Sequence, residues 1–483
     1  VRYIAQGTLW KMDDMFQLSV ELYDTKDKKV VWSDRWQEGW DNLTVIKRNL
    51  SNGLLKALDT TSKVERKVET TNIEAYEFYL KAKHKYEKRE NTDDTEIARG
   101  LLKKAIDLDN NLISAKVLLG WTYSETGDYD KAMEIYTSAL KQSGELGDKY
   151  GMGYSLNNIG SVHYYKGDYD KALDYYGRSL AIQEELGDKR GMGTSLNNFG
   201  NVHWNKGGYD KALDCYNRAL KINEELGNKR GMGYILHNIG GVHWNKGDYD
   251  KALDCYNRAL KINEELGDKP GRGASLNNIG SVYRNKGDLD TALDYYSSSL
   301  AIQEELGDKR GMGTSLNNIG SVHYNKGNLN TALDYNERSL AISKELGDKR
   351  GMGTSLNNIG GAYLKKGDYD KAEEYLVKSL ALQEETGLGG ELPLWTSTYL
   401  YLTYKHLGKE YDEKEIHSLI KETENIEFDL NLCLYELLDD KSYLETACNQ
   451  VQEKASAMEE DLAKKYLSYP IPKAIVEEWE KVK

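Results

Sequence analysis

Small and apolar residues recur along most of this chain at a fixed interval of 40 positions. From residue 147 the block GDKYGMGYSLNNIGSVHYYKGDYDKALDYYGRSLAIQEEL returns at 187, 227, 267, 307 and 347 without slippage. Gly160, Gly200, Gly240, Gly280, Gly320 and Gly360 mark one phase. Gly167, Gly207, Gly247, Gly287, Gly327 and Gly367 mark a second, and Ala172, Ala212, Ala252, Ala292, Ala332 and Ala372 a third. A diverged copy one period earlier keeps Gly120, Gly127, Ala132 and Tyr136 in register, and residues 74–106 read as an irregular first copy. Within a block the apolar positions follow helical spacing: Leu156, Ile159, Gly160 and His163 fall on one stripe. The spacing predicts a helix A from Asp148 to about Lys166 and a helix B continuing through Glu185. Gly147 suits the left-handed position that ends the preceding helix, and Asp148 the N-cap. Gly167 breaks helix A, and Asp168 and Asp170 place negative charge at the start of helix B. Such a unit buries its apolar face only by stacking on its neighbours, so the expected fold is a mostly α-helical solenoid.

Both ends depart from the period. Tyr3–Lys11, Phe16–Tyr23 and Val30–Trp36 read as strands, with turns at Met12–Asp14 and Asp24–Lys29. Leu18, Val20 and Leu22 alternate with polar residues, which buries one face, and Asp41–Leu58 reads as an amphipathic helix. Residues 1–60 are therefore a small α+β piece, 61–73 a polar linker and 74–386 the array. After 386 the period fails. Residues 394–408 and 412–422 predict one degenerate helix pair, and 428–438 and 441–458 another. Pro470 and Pro472 precede a last helix over 473–482. Residues 387–483 hold 20 acidic and 11 basic residues, −9 of the total −13. A polar cap over the last apolar face is the expected role, in preference to a tail that competes for basic residues of the array. The first residue is Val and the chain opens directly in strand-like sequence, which reads as part of a longer or processed product.

The pattern carried by Leu156, Ile159, Gly160, His163, Gly167, Tyr169, Ala172, Tyr176 and Ser179 resembles the tetratricopeptide repeat. Its 40-residue spacing and Asn-Ile-Gly core look most like the long repeats of kinesin light chain and the cell-polarity adaptors. The resemblance implies a right-handed superhelix whose concave groove, lined by the A helices, binds protein or peptide. The run VRYIAQGTLWK…QLSVELYDTKDKKVVWSDRW is similar to the second half of a TolB-like domain. In bacterial signalling proteins that domain stands before such repeats, often after a class III adenylate or guanylate cyclase, sometimes a kinase or winged-helix regulator. The resemblance therefore implies a regulatory or sensory arm, with intramolecular contact to an upstream catalytic domain.

Opposite the apolar stripe of helix A, the period lines up rungs of candidate ligand contacts. The first is Asn157, Asn197, His237, Asn277, Asn317 and Asn357; the second is Asn158 and its equivalents. A third is small or polar, including Ser161 and Asn201. A fourth is large: Tyr164, Trp204, Trp244, Arg284, Tyr324 and Leu364. Asn both donates and accepts, so a row of it pairs with the backbone of an extended peptide. Tyr and Trp add rigid apolar contact with a polar handle. Arg190, Arg230, Arg310 and Arg350 stand one turn earlier and grip carboxylates, which points to an acidic peptide. Set against this, Asn also bonds between adjacent helices. We assign the second Asn rung to packing and the first and fourth rungs to ligand contact.

Composition narrows the function further. Sixty-five basic residues against 78 acidic give no basic stripe, which disfavours nucleic acid. No apolar run reaches membrane-spanning length, and no signal peptide opens the chain. This argues against direct membrane contact and for a cytoplasmic setting, or a periplasmic one should a span precede Val1. The four cysteines form no CxxC pair. Cys215 and Cys255 alternate with Tyr175 and Tyr295, and His163, His203, His243 and His323 with Tyr283 and Tyr363, so both sets read as packing positions. Gly191 and Gly193 lie at a helix start with no preceding strand, which is not a dinucleotide loop. No catalytic constellation, metal set or cofactor motif is present in the sequence, so a non-enzymatic scaffold is expected.

Overall fold

The computed structural model describes residues 3–12, 15–24, 29–39, 70, 72–89, 92–387, 391–423 and 426–483. They form two compact units, Val1–Asn228 and Lys229–Lys483.

The first unit begins with an antiparallel three-stranded meander of β1 (Tyr3–Met12), β2 (Met15–Asp24) and β3 (Lys29–Gly39). Leu18 stands opposite both Leu9 and Trp36, and the β2–β3 register shifts between Leu22 and Tyr23. Val20 and Leu22 are buried while Glu21 and Tyr23 are exposed, as the alternation requires. The expected helix over 41–58 and most of the expected linker lie outside the described residues. Helices follow in packed pairs: α1 (Ile73–Glu87) with α2 (Thr92–Leu108), α3 (Ile113–Glu125) with α4 (Tyr129–Leu146), α5 (Lys149–Tyr165) with α6 (Tyr169–Leu186), and α7 (Lys189–Asn205) with α8 (Tyr209–Glu225).

The second unit continues the pattern. It pairs α9 (Lys229–Asn245) with α10 (Tyr249–Leu266), α11 (Lys269–Asn285) with α12 (Leu289–Leu306), α13 (Lys309–Asn325) with α14 (Leu329–Leu346), and α15 (Lys349–Lys366) with α16 (Tyr369–Thr386). Then come α17 (Glu391–Leu407), α18 (Glu413–Glu422), α19 (Phe428–Leu438), α20 (Lys441–Ser456), α21 (Glu460–Ser468) and α22 (Pro470–Val482).

Local chemistry sets these boundaries. Asp148, Asp188, Asp268, Asp308 and Asp348 each accept the N–H of the glycine three residues on, at 3.0–3.2 Å. Gly147 closes α4 at φ 65° and Gly167 turns the chain at φ 79°. Close packing within a pair needs the glycine of helix A. A Cβ at Gly160 would lie 2.7 Å from Tyr176 Cε1, a separation no packed core tolerates. Ala172 is fully buried against the same contact. Within each unit, helix B also packs on the next helix A, and the A helices of successive pairs approach one another more closely than the B helices do. The inner face of each unit is thus lined by A helices.

The C-terminal region differs from the expectation in three ways. A further helix, α21, occupies 460–468. The last helix starts at Pro470 rather than after Pro472, because proline at the first helical position forfeits no hydrogen bond. And α20 to α22 do more than cap the array: Leu444, Ala447, Cys448, Val451, Tyr466, Tyr469, Ile471 and Ile475 share one apolar core with Leu289, Tyr296, Leu316, Ile319 and Val322 of the repeats.

Candidate functional site

The inner face is best followed rung by rung. Asn157 is buried, and its Oδ1 accepts from Ser195 Oγ and Asn198 Nδ2 of the following pair, both at 3.2 Å. Asn277 Oδ1 accepts from Ser315 Oγ at 3.4 Å and Asn318 Nδ2 at 3.0 Å. Asn317 accepts from Ser355 at 3.0 Å and Asn357 from Thr396 at 2.9 Å. His237 takes the same place, with Nε2 2.9 Å from Ser275 Oγ and Nδ1 3.2 Å from Asn278 Nδ2. Burial drives the His237 pKa down to about 4, so the ring is neutral. Asn197 is buried as well. The first two rungs therefore bond to each other across successive pairs. The first-rung carbonyls, expected to meet a ligand, are engaged by the neighbouring repeat. The signal was in the sequence: a Ser stands at 195, 275, 315 and 355, 38 residues after Asn157, His237, Asn277 and Asn317.

The third rung is tied to the core. Tyr176 O–H donates to Ser161 Oγ at 3.1 Å, Tyr216 O–H to Asn201 Oδ1 at 2.7 Å, and Tyr296 O–H to Ser281 Oγ at 3.0 Å. The histidines of the apolar stripe are half-buried packing residues. His163 stacks on Tyr175 at 5.4 Å and meets Asp168 at 3.2 Å, and Tyr283 and Tyr363 stack in the same slot on Tyr295 and Tyr375. Burial raises the thiol of Cys255 to about 11, so it is an unreactive packing group. Among the described residues no group of three or more His, Cys, Asp or Glu side chains is placed to hold a metal ion.

The fourth rung behaves differently in the two units. In the first, Tyr164 and Trp204 are half-buried; Tyr164 Oη accepts from Asn205 Nδ2 at 2.9 Å, and Tyr165 beside it is 60% exposed. In the second, the same slots face the C-terminal helices. Pro470 sits over Gly327, and Met458 and Tyr466 over Gly287. Lys465 and Lys326 both pair with Asp290. Gly287 and Leu289 are buried, whereas the equivalent turns at 167–169 and 207–209 are largely open. Tyr324 Oη lies 3.4 Å from Tyr399 Oη, and Lys365 stands 5.0 Å over the Tyr324 ring. Arg284 shares its surroundings with Glu427, Asp429 and Lys454. Burial, with Glu427 adding repulsion, raises the Asp429 carboxyl to about 7. Arg190, Arg230, Arg310 and Arg350 are exposed, each at the second position of an A helix.

Between the repeats and this C-terminal layer lies a cavity of about 320 Å³. Trp244, Trp395, Phe428, Tyr466 and Tyr469 form much of its wall. Sequence reasoning missed it. The available signal was Asn336, which stands where the other repeats carry Tyr176, Tyr216, Tyr256 and Tyr296.

Helix pairs of 40 residues, with glycine-on-tyrosine packing and an inner face of A helices, match one family. Tetratricopeptide-repeat models match residues 152–225, 231–305 and 311–385, and a further one residues 113–145. The chain belongs to the tetratricopeptide-repeat family. No curated protein matches it in sequence. Among solved structures, these tetratricopeptide repeats are similar to the signal transduction ATPase with numerous domains, with a tetratricopeptide repeat sensor, from Pyrococcus horikoshii. That match has 15% identity and a TM-score of 0.53 over 77% of this chain and 54% of that one. The chain thus spans about half the length of that protein. A Rap protein complexed with competence and sporulation factor aligns at 14% identity and TM-score 0.48, over 76% of this chain and 96% of its own. A putative kinesin light chain from Podosopora anserina with nearly identical repeats aligns at 17% and 0.31, over 42% and 95%. The likeness to the Pyrococcus protein shows the fold. No helix among the described residues is long and apolar enough to cross a membrane.

Proposed function

We propose that this tetratricopeptide-repeat chain is a non-catalytic scaffold that binds polypeptide on the inner face of its repeats. One observation carries the reading: in the second unit that face already holds polypeptide, with Tyr466, Pro470 and Ile471 packed over the turns at Gly287 and Gly327. In the first unit the same face presents Tyr164, Trp204 and the exposed Tyr154 and Tyr165. Aromatic side chains of this kind anchor partners at low entropic cost. The exposed Arg190 of the first unit, and Arg230, Arg310 and Arg350 of the second, each favour a partner with acidic residues. The Asn rungs act beneath this surface by holding successive A helices in register. The Pyrococcus protein's description as a signal transduction ATPase with a repeat sensor supports a regulatory arm of a signalling protein. The TolB-like resemblance of residues 1–60 supports a nucleotide cyclase upstream as that protein's catalytic part.

A photo-crosslinking amino acid placed at Trp204 tests the binding face, with one at Lys221 on a B helix as control. We expect a discrete protein adduct from position 204 that Arg190→Glu weakens. Adducts of equal yield from both positions overturn the inner-face assignment.

A further inference from the structure

The cavity of the second unit has a chemistry that polypeptide binding does not use. Four buried polar atoms on its wall have no partner: Trp244 Nε1, Tyr466 Oη, Tyr469 Oη and Asn336 Oδ1. Asn336, Tyr466 and Tyr469 are more than nine-tenths buried. Leaving such groups unpaired is costly, so they persist where something meets them. The space itself comes from a change in the repeat. A tyrosine at 336 would lie under Gly320, as Tyr296 lies under Gly280; asparagine is shorter and leaves the volume open.

We propose that this cavity binds a small neutral polyhydroxylated molecule of one or two sugar rings. The unmet groups call for both acceptors and a donor: an indole N–H and two phenols seek acceptors, an amide carbonyl a donor. A hydroxyl serves either need. The wall carries charge of both signs, Arg284 and Lys454 beside Glu391, Glu427 and Asp429, so it calls for no ligand of one charge and a neutral one suits it. Trp244, Trp395 and Phe428 offer flat apolar surfaces of the kind a ring's C–H face covers. The volume sits at the lower end of small-molecule pockets, which fits one or two rings. This inference is independent of the partner-binding reading, because the cavity is bounded on one side by the chain's own C-terminal helices.

The test is calorimetric titration of the full chain with glucose, N-acetylglucosamine, maltose and cellobiose to millimolar concentration, beside uridine and L-phenylalanine. We expect at least one sugar to bind saturably and to raise the melting temperature. Tyr469→Phe, which removes only the hydroxyl, should weaken it about tenfold. Asn336→Tyr, which restores the side chain of the other repeats, should abolish it. Three outcomes overturn the proposal: no sugar saturates; a sugar's binding is unchanged in both variants; or only uridine or L-phenylalanine binds.

Discussion

At the scale of single residues, the repeated asparagines illustrate how one side chain answers two demands. Oδ1 of Asn157, Asn277 and Asn317 accepts hydrogen bonds from the following repeat. Replacing Asn157 or Asn277 by Ala leaves the half-buried amide of Asn198 or Asn318 unmet and should destabilise its unit by about 1 kcal/mol. Thermal melting of Asn157→Ala and Asn277→Ala checks this; unchanged melting with weakened partner binding would return these side chains to the ligand. His237 carries a pH dependence of determinate sign. Its pKa falls from 6.5 in the unfolded chain to about 4 in the fold. Between those values the unfolded chain binds the extra proton. The stability it contributes is complete above pH 6.5 and is lost as pH falls toward 4. In His237→Asn, the residue most other repeats carry, the second unit should lose that part of its acid sensitivity, read as a flatter melting temperature between pH 7 and pH 5.

At the scale of elements, the C-terminal helices are a layer held by a few contacts. Tyr466 and Met458 close over one turn glycine, Pro470 over the next, and Lys465 pairs with Asp290. The exposed ion pair contributes little by itself, so the apolar residues carry the attachment. Ile471→Asp puts a carboxylate into the shared core. It should speed hydrogen exchange over residues 283–290 by more than about tenfold while leaving 149–225 unchanged. Equal protection in both proteins would mean that the layer does not shield those turns. Asp429 adds a second pH effect, opposite to that of His237. Burial and Glu427 raise its carboxyl from 3.8 to about 7, against the Leu430 N–H and the nearby Lys454, with Arg284 and Tyr466 also facing it. Between those values the folded chain holds the proton and the unfolded chain does not. Its contribution to stability is greatest at low pH and is lost as pH rises through 7. Asp429→Asn should therefore melt higher than the parent at pH 8, with the difference shrinking toward pH 5.

At the scale of the whole molecule, the array repeats one set of neighbour contacts, so its stability is close to a sum of pair and interface terms. Lysines bridge successive pairs at constant spacing: Lys166 to Asp130, Lys206 to Asp170 and Lys286 to Asp250, at 2.6–2.7 Å. These exposed bridges set register more than stability. Surface charge matters instead for partners. Arg190→Glu, Arg230→Glu and Arg310→Glu together should weaken binding of an acidic partner by at least about tenfold at low ionic strength and by less at high salt. Affinity indifferent to salt would set aside the acidic-partner reading.

The helix pairs, their caps and their close approach were legible in the sequence because each depends on contacts within one 40-residue unit. Gly160 meets Tyr176, Asp148 caps its own helix, and periodic repetition displays the same solution again and again. The partners of the Asn rung were hidden because they lie about 40 residues away, on another helix whose facing side only the packing decides. The destination of residues 426–483 was hidden for a stronger reason. Lys465 and Asp290 are 175 residues apart, and nothing periodic links them. Local sequence determined that this region is helical and amphipathic. Only the tertiary structure decided which apolar surface it covers, and so where the cavity under Asn336 is closed, because burial rewards whichever faces the chain can bring together.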